Sequence, residues 1–464
     1  MKILFVSLGC DKNRVDSEVM LGLLSQHGYE ITDDESQAEA AVVNTCCFIG
    51  DAKEESINTI LELAEYRVIG QYRALIVTGC LAQRYQDEVL KEIPEIDRIL
   101  GIASIEHIVE ALDSVLAENE NKETNPIKSY IDDLSKKPYG NMKRIQTTGG
   151  QFNYLKIAEG CNKNCTYCVI PSVRGRYRSV PMEDIVEEAK ALTSQGVTEL
   201  ILVAQETTLY GVDIYGEKRL PELLKKLSDI DDLKWIRIMY CYPEEITDDL
   251  IETIKELPKV CNYLDIPIQS GSDHILRQMG RKTNRKEIEE RIEFIREQIP
   301  DICLRTTLIA GFPGETDEDH QETLEFVRKM KFDRLGCFTY SQEEDTVAAA
   351  LPDQVPEEIK QKRRDEIMEL QQEIAFKAAK EKVGKKVSCV IEGRIADDDE
   401  EEYGYTYVAR TYMDAPDVDG YLFIMDVPYD LMSGQFVDVL ITGSNDYDLV
   451  GELFEEGDED EFAE

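Results

Sequence analysis

Three apolar, strand-like runs near the start of the chain each stop on a cysteine: LFVSLGC at Cys10, AAVVNTC at Cys46 and LIVTGC at Cys80. Helix-like stretches, SEVMLGLLSQHG and KEESINTILELAEYR, lie between them. Strands separated by roughly ten to twenty residues of helical pattern are the signature of a parallel α/β sheet. In such sheets ligands collect beyond the carboxyl ends of the strands, so thiols far apart in sequence rise on one edge. The spacing therefore predicts that Cys10, Cys46 and Cys80 converge.

The chain has 464 residues, too many for one ordinary core, so ~2–4 domains are expected. No apolar run approaches the roughly 18–20 residues of a membrane span. The opening MKILFVSLGCDKN has one lysine before a short apolar run and no small-residue cleavage site, so it reads as a first strand of a cytoplasmic protein rather than a signal peptide. Twelve cysteines in a reducing compartment point to metal or redox chemistry rather than disulfides. The four histidines, His27, His107, His274 and His320, stand apart from the cysteine groups, which leaves little support for mixed Cys/His zinc sites. Acidic residues outnumber basic ones 94 to 52, a net charge of -42. That balance disfavours a nucleic-acid partner and favours a cationic one such as a basic protein, with general solubility as the plain alternative.

The α/β pattern of residues 1–117 gives way at 118–150 to a polar stretch with scattered Pro and Gly, read as a linker. A second series begins within 151–383, with strand-like segments at 153–158, 199–204, 234–240, 263–268, 303–310 and 332–340. Between the first two, Ile185, Ala189 and Leu192 recur at helical spacing and Gly196 ends the helix. Thr316 and Asp319 form an approximate capping box for a later helix. Six βα units imply a partial or complete (β/α) barrel with its site at the carboxyl ends of the strands. Residues 384–451 change character to short alternating segments between Gly, Asp and Pro turns, the pattern of a small antiparallel β-barrel. Residues 384–464 carry 23 acidic and 4 basic side chains, including DDDEEE at 397–402. The last stretch, 452–464, reads as a disordered acidic tail.

The chemistry is concentrated in EGCNKNCTYCVIP, where Cys161, Cys165 and Cys168 form C-x3-C-x2-C directly after the first barrel strand. Three closely spaced thiolates can hold three irons of a [4Fe–4S] cluster and leave the fourth open, as a catalytic metal keeps a free position. An electron-transfer ferredoxin or a structural zinc site would use a fourth ligand, and no further Cys or His follows nearby.

This loop, with an aromatic residue before its last cysteine, resembles the radical S-adenosylmethionine superfamily. The resemblance implies that the open iron chelates the amino and carboxylate groups of S-adenosylmethionine, whose reductive cleavage yields a 5′-deoxyadenosyl radical. It places Tyr167 close to the adenine, although simple packing would equally account for that residue. The sequences SLGC, NTC and GC around Cys10, Cys46 and Cys80 are similar to the ligands of a second open [4Fe–4S] cluster in the methylthiotransferases. The family's NTC pattern selects Cys46 and leaves its neighbour Cys47 to packing. Further matches are VAQETTLYG, PIQSGSDHILRQMGR and LIAGFPGETDED, through which Gln205 and Gly311 are implied to contact the cofactor. The implied fold is α/β: a flavodoxin-like amino-terminal domain, a partial (β/α)6 radical barrel and a small carboxy-terminal TRAM barrel.

Two branches of the family compete. One, MiaB-like, methylthiolates isopentenyladenosine in tRNA; the other, the RimO branch, modifies the β-carbon of an aspartate in ribosomal protein S-twelve. CVIPSVRG at 168–175 and RTYMDAPDVDG at 410–420 resemble the second, and an acidic TRAM domain suits a basic protein better than tRNA. Val180 departs from the family pattern, where another arginine is common. The resemblance implies two uses of S-adenosylmethionine, an electron donor such as flavodoxin or ferredoxin, and a radical step at a C–H bond that offers no acidic proton to a general base. The remaining cysteines, Cys47, Cys241, Cys261, Cys303, Cys337 and Cys389, read as core packing.

Overall fold

A computed structural model describes residues 1–120, 128–138, 140, 142–395 and 404–454. The DDDEEE run and residues 455–464 of the acidic tail lie outside the described residues.

The first sheet contains β1 (Lys2–Ser7), β2 (Glu30–Thr32), β3 (Ala40–Thr45), β4 (Ala74–Gly79), β5 (Arg98–Leu100) and β6 (Ser129–Tyr130). They pair in parallel in the order β2-β1-β3-β4-β5-β6. Every residue of β3 and β4 is buried, as continuous apolar runs covered on both faces should be. Helices α1 (Asp11–Gln26), α2 (Gly50–Val68) and α3 (Cys80–Glu92) follow β1, β3 and β4. The strand order reverses between β1 and β3, the crevice where doubly wound sheets bind ligands. The stretch read as a linker supplies β6, which is two residues long and too short to show a period.

The second sheet is a six-stranded open barrel of β7 (Phe152–Lys156), β10 (Glu199–Val203), β11 (Trp235–Ile238), β12 (Val260–Asp265), β13 (Cys303–Ala310) and β14 (Arg334–Thr339). All five pairings are parallel. A short antiparallel ribbon, β8 (Ala158–Glu159) with β9 (Arg178–Ser179), brackets the cysteine loop. Ile185, Ala189 and Leu192 are buried on the barrel's outer layer, and Gly196 follows their helix at φ +101°. The Thr316/Asp319 capping box is formed in full.

Strands β15 (Lys386–Ile395), β16 (Tyr405–Thr411), β17 (Leu422–Val427), β18 (Phe436–Asn445) and β19 (Asp448–Leu453) close a small barrel. Its apolar residues share one core with Phe152, Tyr154, Ile201, Val203, Trp235 and Tyr263 of the six-stranded barrel. Charges lock the contact. Glu199 on β10 receives Arg237 Nε at 2.8 Å and Arg410 Nη2 at 2.8 Å, all three groups being buried. Asp414 pairs with Arg334, while Asp419 accepts from Tyr263 at 2.7 Å and lies 3.5 Å from Arg305 Nε. Asp417 lies 3.4 Å from Arg14 Nη1. Asp414 and Asp419 of MDAPDVDG therefore fasten the two barrels together, while Asp417 makes an exposed surface pair.

Replacing Glu199 with Gln leaves the buried Arg237 guanidinium without a counter-charge and Arg410 with Glu392 alone. We expect a loss of on the order of 3 kcal/mol in unfolding free energy, read from denaturant midpoints, with the carboxy-terminal barrel becoming the first segment open to limited proteolysis.

Two candidate iron–sulfur sites

The amino-terminal thiols gather where the strand order reverses. Cys10 is the residue that precedes α1, and Cys80 is the first residue of α3. Helix amino-termini favour thiolate because the backbone dipole presents positive charge there. Gly9 sits at φ +90°, and a Cβ on it would lie 2.9 Å from Cys46 Cβ and 3.2 Å from Cys46 Sγ. Glycine is what lets the SLGC turn press against Cys46. Asn13 ties the two turns together, donating to Leu8 O at 3.1 Å and Thr45 O at 2.9 Å. Burial pushes the Cys46 thiol up, and the nearby Cys10 adds to this. Burial does the same to Cys80, against the pull of the Arg174 guanidinium, and Cys10 and Cys46 both act on it. The three thiols thus share one electrostatic neighbourhood, as the strand endings predict.

Cys47 is near but different. It is 1% exposed, and burial pushes its thiol up to about 11 while Arg84 pulls it down. Cys10, by contrast, is exposed at the mouth of the group.

The second triad sits on a loop tied down along its length. Cys161 N donates to Gly175 O at 3.1 Å, Thr166 N to Met279 O at 2.9 Å, and Ala348 N to Thr166 O at 2.8 Å. Burial pushes Cys161 to about 11 and Cys168 to about 12. Thiols so disposed stay protonated until a metal displaces the protons. Cys165 Sγ lies 3.7 Å from the Tyr242 hydroxyl, and Tyr242 is covered by Arg281 at 4.2 Å from its ring centroid.

The three residues implied to contact the cofactor divide. Tyr167 stands edge-on to Phe312 at 6.4 Å, in an apolar cluster with Met279 and Tyr340, so packing alone accounts for it. Gly311 adjoins that cluster at φ +74°, and a Cβ there would meet Lys360 Cγ at 2.2 Å, so the long helix behind it demands the glycine. Gln205 accepts from Gly160 N at 2.7 Å and donates to Glu159 at 2.8 Å, which fixes the backbone next to Cys161.

The side chains that complete the site carry almost no distinguishing mark in the sequence. Glu206 is 0% exposed; Thr208 N and Oγ1 donate to its Oε1, while Oε2 has no partner. Burial pushes this carboxyl up to about 7, partly opposed by Thr208 and Lys163, and its charge acts on Cys161. Arg281 is buried with Nε and Nη1 unpartnered. A carboxylate oxygen and a guanidinium edge, both orphaned beside the cysteine loop, fit a zwitterionic amino-acid group such as the methionyl end of S-adenosylmethionine. Lys12 is also buried, its ammonium 2.8 Å from Asp11 Oδ1 and 3.4 Å above the Tyr240 ring centroid. A cation in the first turn of a helix opposes the dipole, and that anomaly was the one available signal in DKN. Glu206 stood inside a quoted motif without any mark of its burial.

Barrel, cysteine loop and small β-barrel together define a radical S-adenosylmethionine enzyme with a second cysteine triad. Family models agree: the radical SAM superfamily over residues 155–327, the uncharacterized protein family UPF0004 over 2–101 and the TRAM domain over 383–454. A protein of Lachnoclostridium phytofermentans named ribosomal protein uS12 methylthiotransferase RimO is 57% identical over 97% of this chain and 99% of its own length. Proteins of the same name from Clostridium botulinum and Desulfitobacterium hafniense are 50% and 46% identical, each alignment covering 98% of the relative's length and 98% and 97% of this chain. The chain belongs to the RimO family of methylthiotransferases. Among solved structures, the radical S-adenosylmethionine methyltransferase TsrM of Kitasatospora setae shares the fold, with a TM-score of 0.54 at 14% identity, covering 73% of this chain and 74% of that one. No described helix is long and apolar enough to cross a membrane.

If Cys46 and not Cys47 is the ligand, Cys46→Ala lowers the iron bound after anaerobic reconstitution by about half, one cluster of two, whereas Cys47→Ala leaves it unchanged. An equal loss in both variants would reassign the ligand.

Proposed function

We propose that this enzyme methylthiolates the β-carbon of an aspartate in ribosomal protein uS12, using one [4Fe–4S] cluster on Cys161, Cys165 and Cys168 and a second on Cys10, Cys46 and Cys80. The observation that carries the reading is the joining of the two triads. Arg174, which follows the second triad, donates to Cys80 Sγ at 3.4 Å. Through Glu159 and Gln205 the same network reaches Gly160, the residue before Cys161.

When bound, the clusters and S-adenosylmethionine supply the electron, the radical and the sulfur that protein side chains lack. The chain's own part is placement. Glu206 Oε2 would accept from an N–H of the cofactor's amino group and Arg281 would donate to its carboxylate, each filling a hydrogen-bonding need the protein leaves open. Lys163 N donates to Cys161 Sγ at 3.4 Å, and its ammonium is held by Glu244 and Glu245, which closes the loop over the triad. A β-carbon has no proton that a base could remove near neutral pH, so no His or Ser/Asp arrangement is required. An external one-electron carrier, a flavodoxin or ferredoxin, is the reductant this reading needs. The twelve cysteines are all free thiols, which suits the reducing cytoplasm.

The direct test is an anaerobic reaction of reconstituted protein with S-adenosylmethionine, reductant, small ribosomal subunits and unmodified tRNA. Mass spectrometry is expected to find SCH2 gained on the uS12 aspartate. Gain on tRNA alone would establish the other branch's activity and reject this one.

Glu206 gives a second test. Its carboxyl, pushed up to about 7, is neutral below that pH and charged above it. Affinity for S-adenosylmethionine should therefore rise as pH climbs through about 7, because the ionised carboxylate is the stronger acceptor for the cofactor's amino N–H. Glu206→Gln should weaken binding on the order of tenfold and flatten this profile; a variant that keeps the wild-type slope would exclude Glu206 as the amino group's partner.

A further inference from the structure

Arg174 is the last residue of the short helix Ile170–Arg174, which begins just after Cys168, and it is 1% exposed. Its two ends do different work. Nη1 donates to Glu159 Oε1 and Oε2, both at 3.0 Å, and to Asp16 Oδ2 at 3.4 Å. Nη2 instead donates to Cys80 Sγ at 3.4 Å and to Asn13 Oδ1. Lys156 completes the group, 2.9 Å from Glu159 Oε2 and paired with Asp16.

The charges of Asp16, Lys156, Glu159 and Arg174 already cancel among themselves. An arginine needed only for that pairing would turn its second edge to another carboxylate or to a backbone carbonyl. Here the second edge is spent on a cysteine of one triad and on Asn13, the residue that ties the turns of Cys10 and Cys46 together. The first edge is spent on Glu159, two residues before the first cysteine of the other triad.

We propose that Arg174 is a positioning residue for the reaction, whose guanidinium holds the Cys80 sulfur by an N–H···S bond and fixes the sulfur-donating triad against the radical triad. The inference rests on the two-cluster reading above. Two consequences follow from general chemistry. An N–H donor on a ligating sulfur withdraws charge from the cluster and raises its reduction potential. Loss of a fork that spans both triads misplaces donor and radical relative to each other, and a misplacement near 1 Å costs on the order of a hundredfold in rate.

The experiment uses full-length protein. In a Cys161/Cys165/Cys168→Ala background only the amino-terminal cluster remains, and its potential is read by redox titration with electron paramagnetic resonance. Arg174→Lys keeps the charge toward Glu159 but loses the fork; at equal iron content the potential should fall. In the otherwise wild-type enzyme, Arg174→Lys should keep cleaving S-adenosylmethionine while the ratio of 5′-deoxyadenosine to methylthiolated product rises roughly tenfold or more. An unchanged potential at full iron content, or a ratio that stays constant while both rates fall together, would overturn the proposal. Should the variant lose its iron, the background protein labelled with 15N-arginine replaces it. A weak 15N hyperfine coupling to the amino-terminal cluster is expected, and its absence would equally overturn the assignment. The potential and the coupling need no substrate, so they stand apart from the functional reading, which fails only if the wild type does not modify uS12.

Discussion

Four buried charges, Asp16, Lys156, Glu159 and Arg174, hold the amino-terminal sheet to the radical barrel, and the rest of the arrangement depends on them. Asp16 comes from the first domain and the other three from the second, all less than 9% exposed. Each ion loses several kcal/mol of hydration on burial, which only well-placed partners offset. Separating the domains would leave Asp16 with neither Lys156 nor Arg174, so the contact is made as a unit. Glu18 adds a second fastening: it accepts from Thr147 N at 2.8 Å and lies 3.6 Å from Arg144 Nη1. The separation of the two cysteine triads is therefore set by buried side chains with fixed partners.

A parallel sheet delivers its strand ends to one edge, and both triads exploit that edge for the same electrostatic reason. Sulfur ligands must lose their protons to hold iron, yet burial resists the charge on Cys46, Cys161 and Cys168. At Cys80, pushed up by burial in the same way, the start of a helix opposes this penalty. Around Cys161 the opposing element is the backbone N–H of Lys163, whose bond to the sulfur lowers the cost of its charge. The two sites solve one problem with different donors.

This division also explains what was legible before the structure. The barrel strands and the thiol-bearing strand ends were readable because buried parallel strands are continuous apolar runs and both triads carry short, recognisable spacings. The capping box at Thr316 and the helix end at Gly196 were readable because local chemistry alone fixes them. Arg174, Glu206, Arg281 and Lys12 were not marked, since a charged side chain in a strand-to-helix connection is ordinarily solvated. Tertiary packing encloses them, within the barrel for Glu206 and Arg281 and between the first two domains for Arg174 and Lys12. Gly311 shows the converse: its place in a cofactor-like loop was visible, but the close approach of Lys360 from a helix dozens of residues later was not.

The acidity of the carboxy-terminal domain takes on a more exact meaning. Asp414, Asp417 and Asp419 belong to the segment whose aspartates resemble the RimO branch, and each is matched to an arginine elsewhere in the chain: Arg334, Arg14 and Arg305. A buried, paired carboxylate contributes little field to an approaching partner, so Asp414 and Asp419 act as fasteners, whereas the Asp417–Arg14 pair stays on the surface. The chain's net charge of -42 nonetheless remains. A field of that sign speeds encounter with a basic protein in a salt-dependent way but reads no particular residue. Selecting a single residue is a short-range task, which side chains at contact distance perform and a net field does not.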